Sequence, residues 1–155
     1  MKSTHLLLTA LLLTQPLAGA APFSFNGDEV ADAASGLVWR RCAEGMSWNG
    51  STCTGSALNF NYEDALRRAK TEAATSGKAW RLPNVKELAS LVDRRRREPA
   101  IDSTAFPETP SESFWSSSPY AGNAGYAWGI DFLNGHVDGN GRDNNDAVRL
   151  VRASQ

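Results

Sequence analysis

The stretch from Trp80 to Leu88 constrains the fold most, because it predicts a strand end, a turn and a helix start within nine residues. Residues 80–82 have a strand-like pattern, and Pro83 would stop regular pairing because it has no N–H to donate. Asn84 is a predicted helix N-cap, and Glu87 stands where its carboxylate can accept from the Asn84 amide in a capping box.

The sequence predicts two helices. The apolar face of the shorter one, after Asn84, is expected to consist of Leu88, Leu91 and Val92. The longer helix would begin after Asn61, place small apolar residues at helical spacing, and end at Gly77, a typical residue just beyond a helix C-terminus.

Several short segments read as strands, and one of them alternates clearly between apolar and small or polar residues. The strand candidates are residues 37–40, 114–118, 126–132 and 148–152. Asn134-Gly135 follows the alternating segment and is the preferred dipeptide of a two-residue type I′ hairpin. The predicted fold class is therefore α+β, with two short helices packed on an antiparallel sheet or meander.

The first twenty residues have the pattern of a signal peptide: Lys2, a short apolar run, and small residues up to Ala20. The run is too short to cross a bilayer, so no stable membrane insertion is expected after cleavage. We therefore predict a periplasmic or secreted protein, with a signal peptide at 1–20, an extension at 21–31 and one domain at 32–152. Without Lys2, 15 basic residues face 17 acidic ones, a net charge near −2 that gives no global attraction to nucleic acid.

Cys42 and Cys53 are the two cysteines of the chain. An even number of cysteines in an exported chain predicts one disulfide, here closing a loop of about a dozen residues. A redox-active pair or a metal site is the alternative. The spacing is wider than C-x-x-C and no neighbouring histidine supplies a ligand, so we predict a structural disulfide.

Four consecutive arginines, Arg94, Arg95, Arg96 and Arg97, are the strongest candidate for a ligand-binding site. Guanidinium groups suit sulfate or phosphate, which they bind bidentately. The run follows the second predicted helix, where cations also favour the helix dipole and consecutive residues spread around the circumference. The sequence thus leaves open an anion site and a solvated helix end.

Four of the five tryptophans (Trp39, Trp80, Trp115 and Trp128) lie in strand-like patterns and are predicted to pack in the core. Trp48 instead lies in the loop between the cysteines and is the second ligand-binding candidate. An exposed stacking platform and packing within the loop are both open for its indole ring.

Residues 138–146 are rich in Asp, Asn and Gly, as a calcium loop would be. Arg142 stands where an EF-hand loop needs a ligand and Asp143 where it needs glycine, so a turn is favoured over a metal site. A Ser-His-Asp arrangement would depend on His136, the one histidine that remains after cleavage. No phosphate-binding glycine loop occurs. We therefore expect no catalytic residues, no cofactor and no resident metal.

A set of motifs occurs here in the order found in one family of domains. They are Gly36-Leu37-Val38-Trp39, Trp80-Arg81-Leu82-Pro83-Asn84 with Glu87-Leu88, Pro99-Ala100-Ile101-Asp102, Phe106-Pro107, Phe114-Trp115-Ser116-Ser117-Ser118, Ala127-Trp128 and Val148-Arg149-Leu150-Val151-Arg152. Together they resemble the Lcl C-terminal domain family, a domain of unknown function found in exported bacterial proteins. The segment around the two cysteines is similar to a common variant of it.

The resemblance implies a compact α+β module akin to C-type-lectin-like folds. The founding member of that family is a surface adhesin whose domain recognises sulfated glycosaminoglycans. The expected function is thus an exported, non-enzymatic binding module for polyanionic or carbohydrate polymers, with a sulfated glycan or an envelope polysaccharide as partner. The alternative is a structural or protein-interaction module of the periplasm that contacts an envelope protein and has no small ligand.

Overall fold

The computed structural model describes residues 23–154, so the predicted signal peptide at 1–20 lies outside the described residues. Within 23–154 the chain forms two helices and eleven short strands. The strands are β1 Ser24–Asn26, β2 Glu29–Asp32, β3 Leu37–Arg40, β4 Ser47–Trp48, β5 Cys53–Thr54, β6 Asn59–Phe60, β7 Ser113–Pro119, β8 Tyr126–Asp131, β9 His136–Gly141, β10 Asp146–Ala147 and β11 Val151–Ala153.

The first helix, α1, spans Tyr62–Ser76 and has the predicted caps at both ends. The Asn61 side chain accepts a hydrogen bond of 2.9 Å from the Asp64 amide, and Gly77 ends the helix in the left-handed conformation with φ 68°. In the part of the chain that the structure describes, neither helix has the length and apolar character needed to cross a membrane.

The second helix, α2, spans only Val85–Ala89. Both bonds of the predicted capping box are present: the Glu87 amide donates to the Asn84 side chain at 2.9 Å, and the Asn84 amide donates to the Glu87 carboxylate at 2.8 Å. The expectation that Leu91 and Val92 belong to this helix is wrong. The chain leaves the helix first, because Val92 forms a β-bridge with Ile101.

The strands form two larger sheets and one hairpin. The first sheet has the order β1-β2-β3-β11 and is antiparallel, and the hairpin pairs β4 with β5. The second sheet has the order β6-β10-β7-β8-β9, in which β10 runs parallel to β7. The predicted α+β class is confirmed, whereas the predicted meander accounts only for β7, β8 and β9.

The C-terminal segment joins the two sheets. It runs as β10 in the second sheet, crosses at residues 148–150, and continues as β11 in the first. At the crossing the Arg40 amide donates to the Leu150 carbonyl at 3.0 Å, so the segment stays hydrogen-bonded to the first sheet. The prediction of one continuous strand over 148–152 is therefore wrong. The predicted strand at residues 80–82 is likewise reduced to one bridge, between Arg81 and Val151.

Two apolar clusters lie on the two faces of the second sheet, so that the neighbours Phe114 and Trp115 belong to different clusters. The members of the first cluster include Trp39, Leu88, Ile101, Phe106, Ile130 and Phe132. The members of the second include Tyr62, Ala65, Trp80, Leu82, Val148 and Leu150. Trp39, Trp80 and Trp115 are buried, as predicted.

The fourth tryptophan assigned to the core, Trp128, is only half-buried, and its neighbour Tyr126 is 41% exposed. The prediction fails for Trp128 because the residue opposite it on β9 is Gly139, which has no side chain to cover the indole. The ring packs instead against Tyr120, at a centroid distance of 4.7 Å.

The turn between β8 and β9 also differs from the prediction. Pairing ends at Asp131 and His136, so the loop has four residues, and among Asn134 and Gly135 only Gly135 has a positive φ. A two-residue type I′ turn would need positive φ at both positions. Phe132 explains the longer loop, because it leaves the strand to enter the core, 5.2 Å from the Phe114 ring.

Candidate functional site

The disulfide between Cys42 and Cys53 is present, with the two Cα atoms 5.5 Å apart. It closes the hairpin of β4 and β5, whose turn is held by the Asn49 side chain. That side chain accepts hydrogen bonds of 2.9 Å from the amides of Ser51 and Thr52. The disulfide and this turn together fix the strand that carries Trp48.

Trp48 is half-buried, and a neighbouring cation covers its ring. The guanidinium carbon of Arg41 lies 3.9 Å from the centre of the indole, a cation–π contact. The same guanidinium lies 4.8 Å from the centre of the Phe25 ring, which is 49% exposed. Trp48 is thus one ring of an aromatic pair that holds Arg41, rather than an open platform on the hairpin.

Arg41 is a cation that the sequence analysis missed. Its guanidinium donates to the carbonyls of Ala105 at 3.2 Å, Thr104 at 2.8 Å and Gly27 at 3.5 Å. These bonds occupy three of its five N–H donors, and among residues 23–154 no carboxylate forms an ion pair with it. Burial lowers the pKa of Arg41 below its ordinary value, but an arginine stays charged near neutral pH.

The arginine run is exposed, and it is not on a helix end as the sequence analysis assumed. Arg94–Arg97 lie in the turn beyond α2. Asp93 closes this turn, because its carboxylate accepts from the Arg95 amide and its carbonyl from the Arg96 amide, each at 3.0 Å. The Asp93 carboxylate accepts from the guanidinium of Arg95 at 2.9 Å and of Arg96 at 3.2 Å. The hydrogen bonds from Arg95, and then those from Arg96, lower the pKa of Asp93 to about 2.

The other two arginines of the run are free to meet a ligand. Arg94 and Arg97 are exposed, and within the described part of the chain neither side chain has a hydrogen-bond or ion-pair partner. The helix-dipole explanation for the run does not apply, since α2 ends at Ala89. What the sequence left open between an anion site and a solvated helix end becomes a choice between an anion site and a solvated turn.

Residues 102–105 connect the two predicted parts of the site. Arg96 donates to the Ser103 hydroxyl at 3.0 Å, while Arg41 donates to the carbonyls of Thr104 and Ala105. The hairpin with Trp48 and the arginine run are therefore attached to the same loop. We call the set of Arg41, Trp48 and Arg94–Arg97 the arginine surface.

A cleft of about 550 Å³ lies next to this surface, between the hairpin, β3 and α1. Charged side chains that neutralise one another line it. Arg68 pairs with Glu44 and with Glu72 at 2.7 Å each, and Arg40 pairs with Glu72 at 3.1 Å. Burial raises the pKa of Glu44 above its ordinary value, although the hydrogen bond from Arg68 opposes the change. This network ties α1 to β3, and its charges are already engaged.

The stretch from 138 to 146 is mostly strand. β9 extends to Gly141, so the turn predicted across the whole stretch is limited to residues 142–145. Asp146 is buried, accepts from the Asn140 amide group at 2.6 Å, and has a pKa raised by burial. Between residues 23 and 154 no three His, Cys, Asp or Glu side chains come together as a metal site would require. His136 lies exposed at the start of β9, and it does not line the charged cleft.

Comparison with known proteins gives one positive result. The family model described as the Lcl C-terminal domain matches residues 28–152, most of the chain. A search of curated proteins returned no match.

Proposed function

We propose that this chain, which belongs to the Lcl C-terminal domain family, is an exported, non-enzymatic binding module for polyanionic or carbohydrate polymers. One observation carries the proposal: Arg41 and Arg96 bind the same loop, residues 102–105, and the neighbouring Arg94 and Arg97 have no acidic partner among the described residues. Three carboxylates, Asp93, Glu98 and Asp102, lie in the same segment, so the surface keeps an excess of positive charge.

A repeating anionic polymer suits this surface better than a small anion. Each exposed ion pair contributes only up to about 1 kcal/mol, so a single sulfate or phosphate would be held weakly. A polymer brings several anionic groups at once and adds their contributions. The two free donors of Arg41 and the unpaired guanidiniums of Arg94 and Arg97 supply the N–H groups for such contacts.

We also propose the cellular location and the fold relationship that the sequence suggests. A signal peptide at residues 1–20 would export the chain to the periplasm or the exterior, where the Cys42–Cys53 disulfide is stable. Surface display as an adhesin and a C-type-lectin-like arrangement of the two sheets belong to the same proposal. Processing at Ala20, measured by mass spectrometry of the exported protein, tests the first part.

Heparin, a sulfated polysaccharide, tests the binding function. Arg94→Ser with Arg97→Ser removes two charges without disturbing the Asp93 ion pairs, and we expect binding to weaken about five- to tenfold. Binding should also fall with rising salt, because exposed charges are screened. Affinity can be measured by isothermal titration calorimetry at low and high salt.

The matched control is Arg67→Ser with Lys70→Ser, which removes the same charge from two exposed positions on α1. This helix packs on the second apolar cluster. The control should leave heparin binding nearly unchanged. Equal loss in both double variants would mean that only net charge matters, and salt-independent binding or none at all would refute the arginine surface as the binding site.

The alternative, a structural or protein-interaction module of the periplasm, has less support. Large exposed apolar side chains are spread over β1, α1, the residue before β6 and the β8–β9 hairpin, and single exposed apolar residues are normal on soluble proteins. They are Phe25, Leu58, Leu66, Tyr126, Leu133 and Val137. A stable oligomer of the exported protein in analytical ultracentrifugation would favour this alternative.

A further inference from the structure

Three aromatic side chains gather on the second sheet, and none of them belongs to the arginine surface. The ring of Tyr120 lies 4.7 Å from Trp128 and 6.3 Å from Tyr126, between ring centres. Tyr126 is 41% exposed, and Tyr120 and Trp128 are half-buried. We call these three residues the aromatic shelf.

The shelf stays open because the edge strand beside it carries glycine. Tyr126 and Trp128 are paired on β9 with Gly141 and Gly139, neither of which has a side chain to cover a ring. Tyr120 packs directly over Gly139: a Cβ placed on that glycine would come within 2.9 Å of the tyrosine ring. Gly139 therefore sets the position of Tyr120.

The turn that carries Tyr120 is fixed by its own hydrogen bonds. The Tyr120 amide donates to the Tyr126 carbonyl at 3.1 Å, and the Tyr126 amide donates to the Asn123 carbonyl at 3.1 Å. The Asn123 side chain accepts from the Gly125 amide at 2.9 Å. The rings are thus presented by a closed turn and a strand, so little ordering would be needed when a ligand binds.

Polar groups without partners surround the rings. Among residues 23–154, no protein atom bonds the hydroxyls of Tyr120 and Tyr126, the indole N–H of Trp128 or the side-chain amide nitrogen of Asn123. Elsewhere the Tyr62 hydroxyl donates to the Ser117 carbonyl and the Trp115 indole to the Phe60 carbonyl, while the unpaired indole nitrogens of Trp39 and Trp80 are buried, where a ligand does not reach them. Apolar ring faces with unpaired donors at their edges fit a ligand that is apolar on one face and hydroxylated around its rim.

We propose that the aromatic shelf is a stacking site for one neutral sugar ring of an oligosaccharide. A pyranose presents C–H groups on one face, which can lie on the Tyr126 ring, and equatorial hydroxyls at its rim, which can pair with Asn123 and the phenols. The adjoining depression, lined by Tyr120, Asn123, Tyr126 and Gly139, has a volume of about 210 Å³. That is smaller than a cleft that encloses a drug-sized ligand, and it suits a single ring.

A protein partner fits the same place less well. A stable interface covers about 800 Å² on each side, far more than three partly buried rings provide. Strand addition to β9 is also disfavoured, because the strand contains two glycines and the charged Asp138. The inference deepens the proposed function and rests on it only for the class of ligand.

A panel of neutral oligosaccharides (gluco-, manno- and N-acetylglucosamine-based hexamers) tests the shelf by calorimetry at low and high salt. We expect at least one to bind with an affinity that salt does not change. Tyr126→Ala should weaken that binding about tenfold or more, as loss of a stacked ring does in other sites. Tyr126→Phe, which keeps the ring, should weaken it only about twofold.

Gly139→Ala is the second variant, since it displaces Tyr120 without removing an aromatic ring, and we expect a loss similar to that of Tyr126→Ala. Leu66→Ala on α1 is the control and should bind normally. The Arg94→Ser, Arg97→Ser protein should retain neutral-sugar binding while its heparin binding weakens as stated above, so the two proposals fail separately. No binding by any hexamer, unchanged binding in Tyr126→Ala, or self-association that Tyr126→Ala abolishes would each overturn the proposal.

Discussion

At the scale of single residues, Arg149 is the least expected side chain of the protein. It is fully buried, and no carboxylate pairs with it among the described residues. Its guanidinium donates to the carbonyls of Arg40 at 2.8 Å and Arg41, and to the Thr109 hydroxyl at 2.7 Å. Burial lowers its pKa from 12.5 to about 9, so the side chain is still charged at neutral pH.

Arg149 satisfies backbone carbonyls where β3 leads into the disulfide hairpin, and it thereby helps to hold Arg41 in place. We expect Arg149→Ala to lower the free energy of unfolding by about 3 kcal/mol or more, because buried acceptors lose their donor and a cavity remains. Arg149→Lys should also destabilise, since an ammonium cannot reproduce the planar fork. Urea denaturation followed by tryptophan fluorescence measures both.

The control for this prediction is Arg67→Ala, whose side chain is 72% exposed and which should change stability by no more than about 0.5 kcal/mol. A similar small change for Arg149→Ala would show that the buried guanidinium has no structural role.

At the scale of elements, α2 shows how a very short helix is kept in place. An isolated helix of five residues is unstable in water, so its stability must come from its caps and its packing. The Arg81 guanidinium holds the capping carboxylate of Glu87 with two bonds of 2.8 Å, and the Val85 amide donates to the Ser118 hydroxyl at 3.0 Å. The hydrogen bonds from Arg81 also lower the pKa of Glu87.

Asn84→Ala removes the side chain that accepts from the Glu87 amide. We expect it to lower the free energy of unfolding by about 1 kcal/mol, a typical cost for a lost N-cap, and Asn84→Ser to cost much less because serine is an equally good cap. Chemical denaturation of the two variants side by side gives the comparison. Equal losses for alanine and serine would mean that the cap does not stabilise α2.

At the scale of the whole molecule, Glu29 of β2 connects three distant parts of the chain. Its carboxylate pairs with Lys78, just beyond α1, at 2.5 Å and with Arg152 of β11 at 2.6 Å. Burial alone would raise the pKa of Glu29, but the hydrogen bonds from Lys78 and Arg152 outweigh it and keep the pKa below the ordinary 4.5.

This linkage predicts how stability changes with pH. As the pH falls below 4.5, the unfolded chain binds a proton at Glu29 before the folded chain does, so stability is lost as the pH falls through the folded pKa. Glu29→Gln should cost about 2 kcal/mol near neutral pH and show a flatter pH dependence in acid. Unfolding curves of the wild-type and Glu29→Gln proteins between about pH 3 and pH 7 test this, and equal slopes in acid would contradict it.

Local features of the sequence predicted local structure well. Both Asn caps and the stop at Gly77 are confirmed, because a helix cap depends on residues only a few positions apart in the chain. The α+β class is confirmed as well. The predicted Cys42–Cys53 disulfide is also confirmed, and its two cysteines are only eleven positions apart in the chain. These are short-range properties, and the chain itself keeps the interacting groups close.

Contacts between distant residues were decided by the tertiary structure alone. Nothing near Trp128 in sequence indicates that glycine will face it across the strand, and nothing near Arg41 indicates that the ring of Phe25 will lie against it. The same holds for Arg149, which belongs to the predicted strand over 148–152 and is buried where its segment crosses between two sheets. The sequence by itself determined where helices begin and end, whereas pairing across the fold determined which side chains are exposed to a ligand.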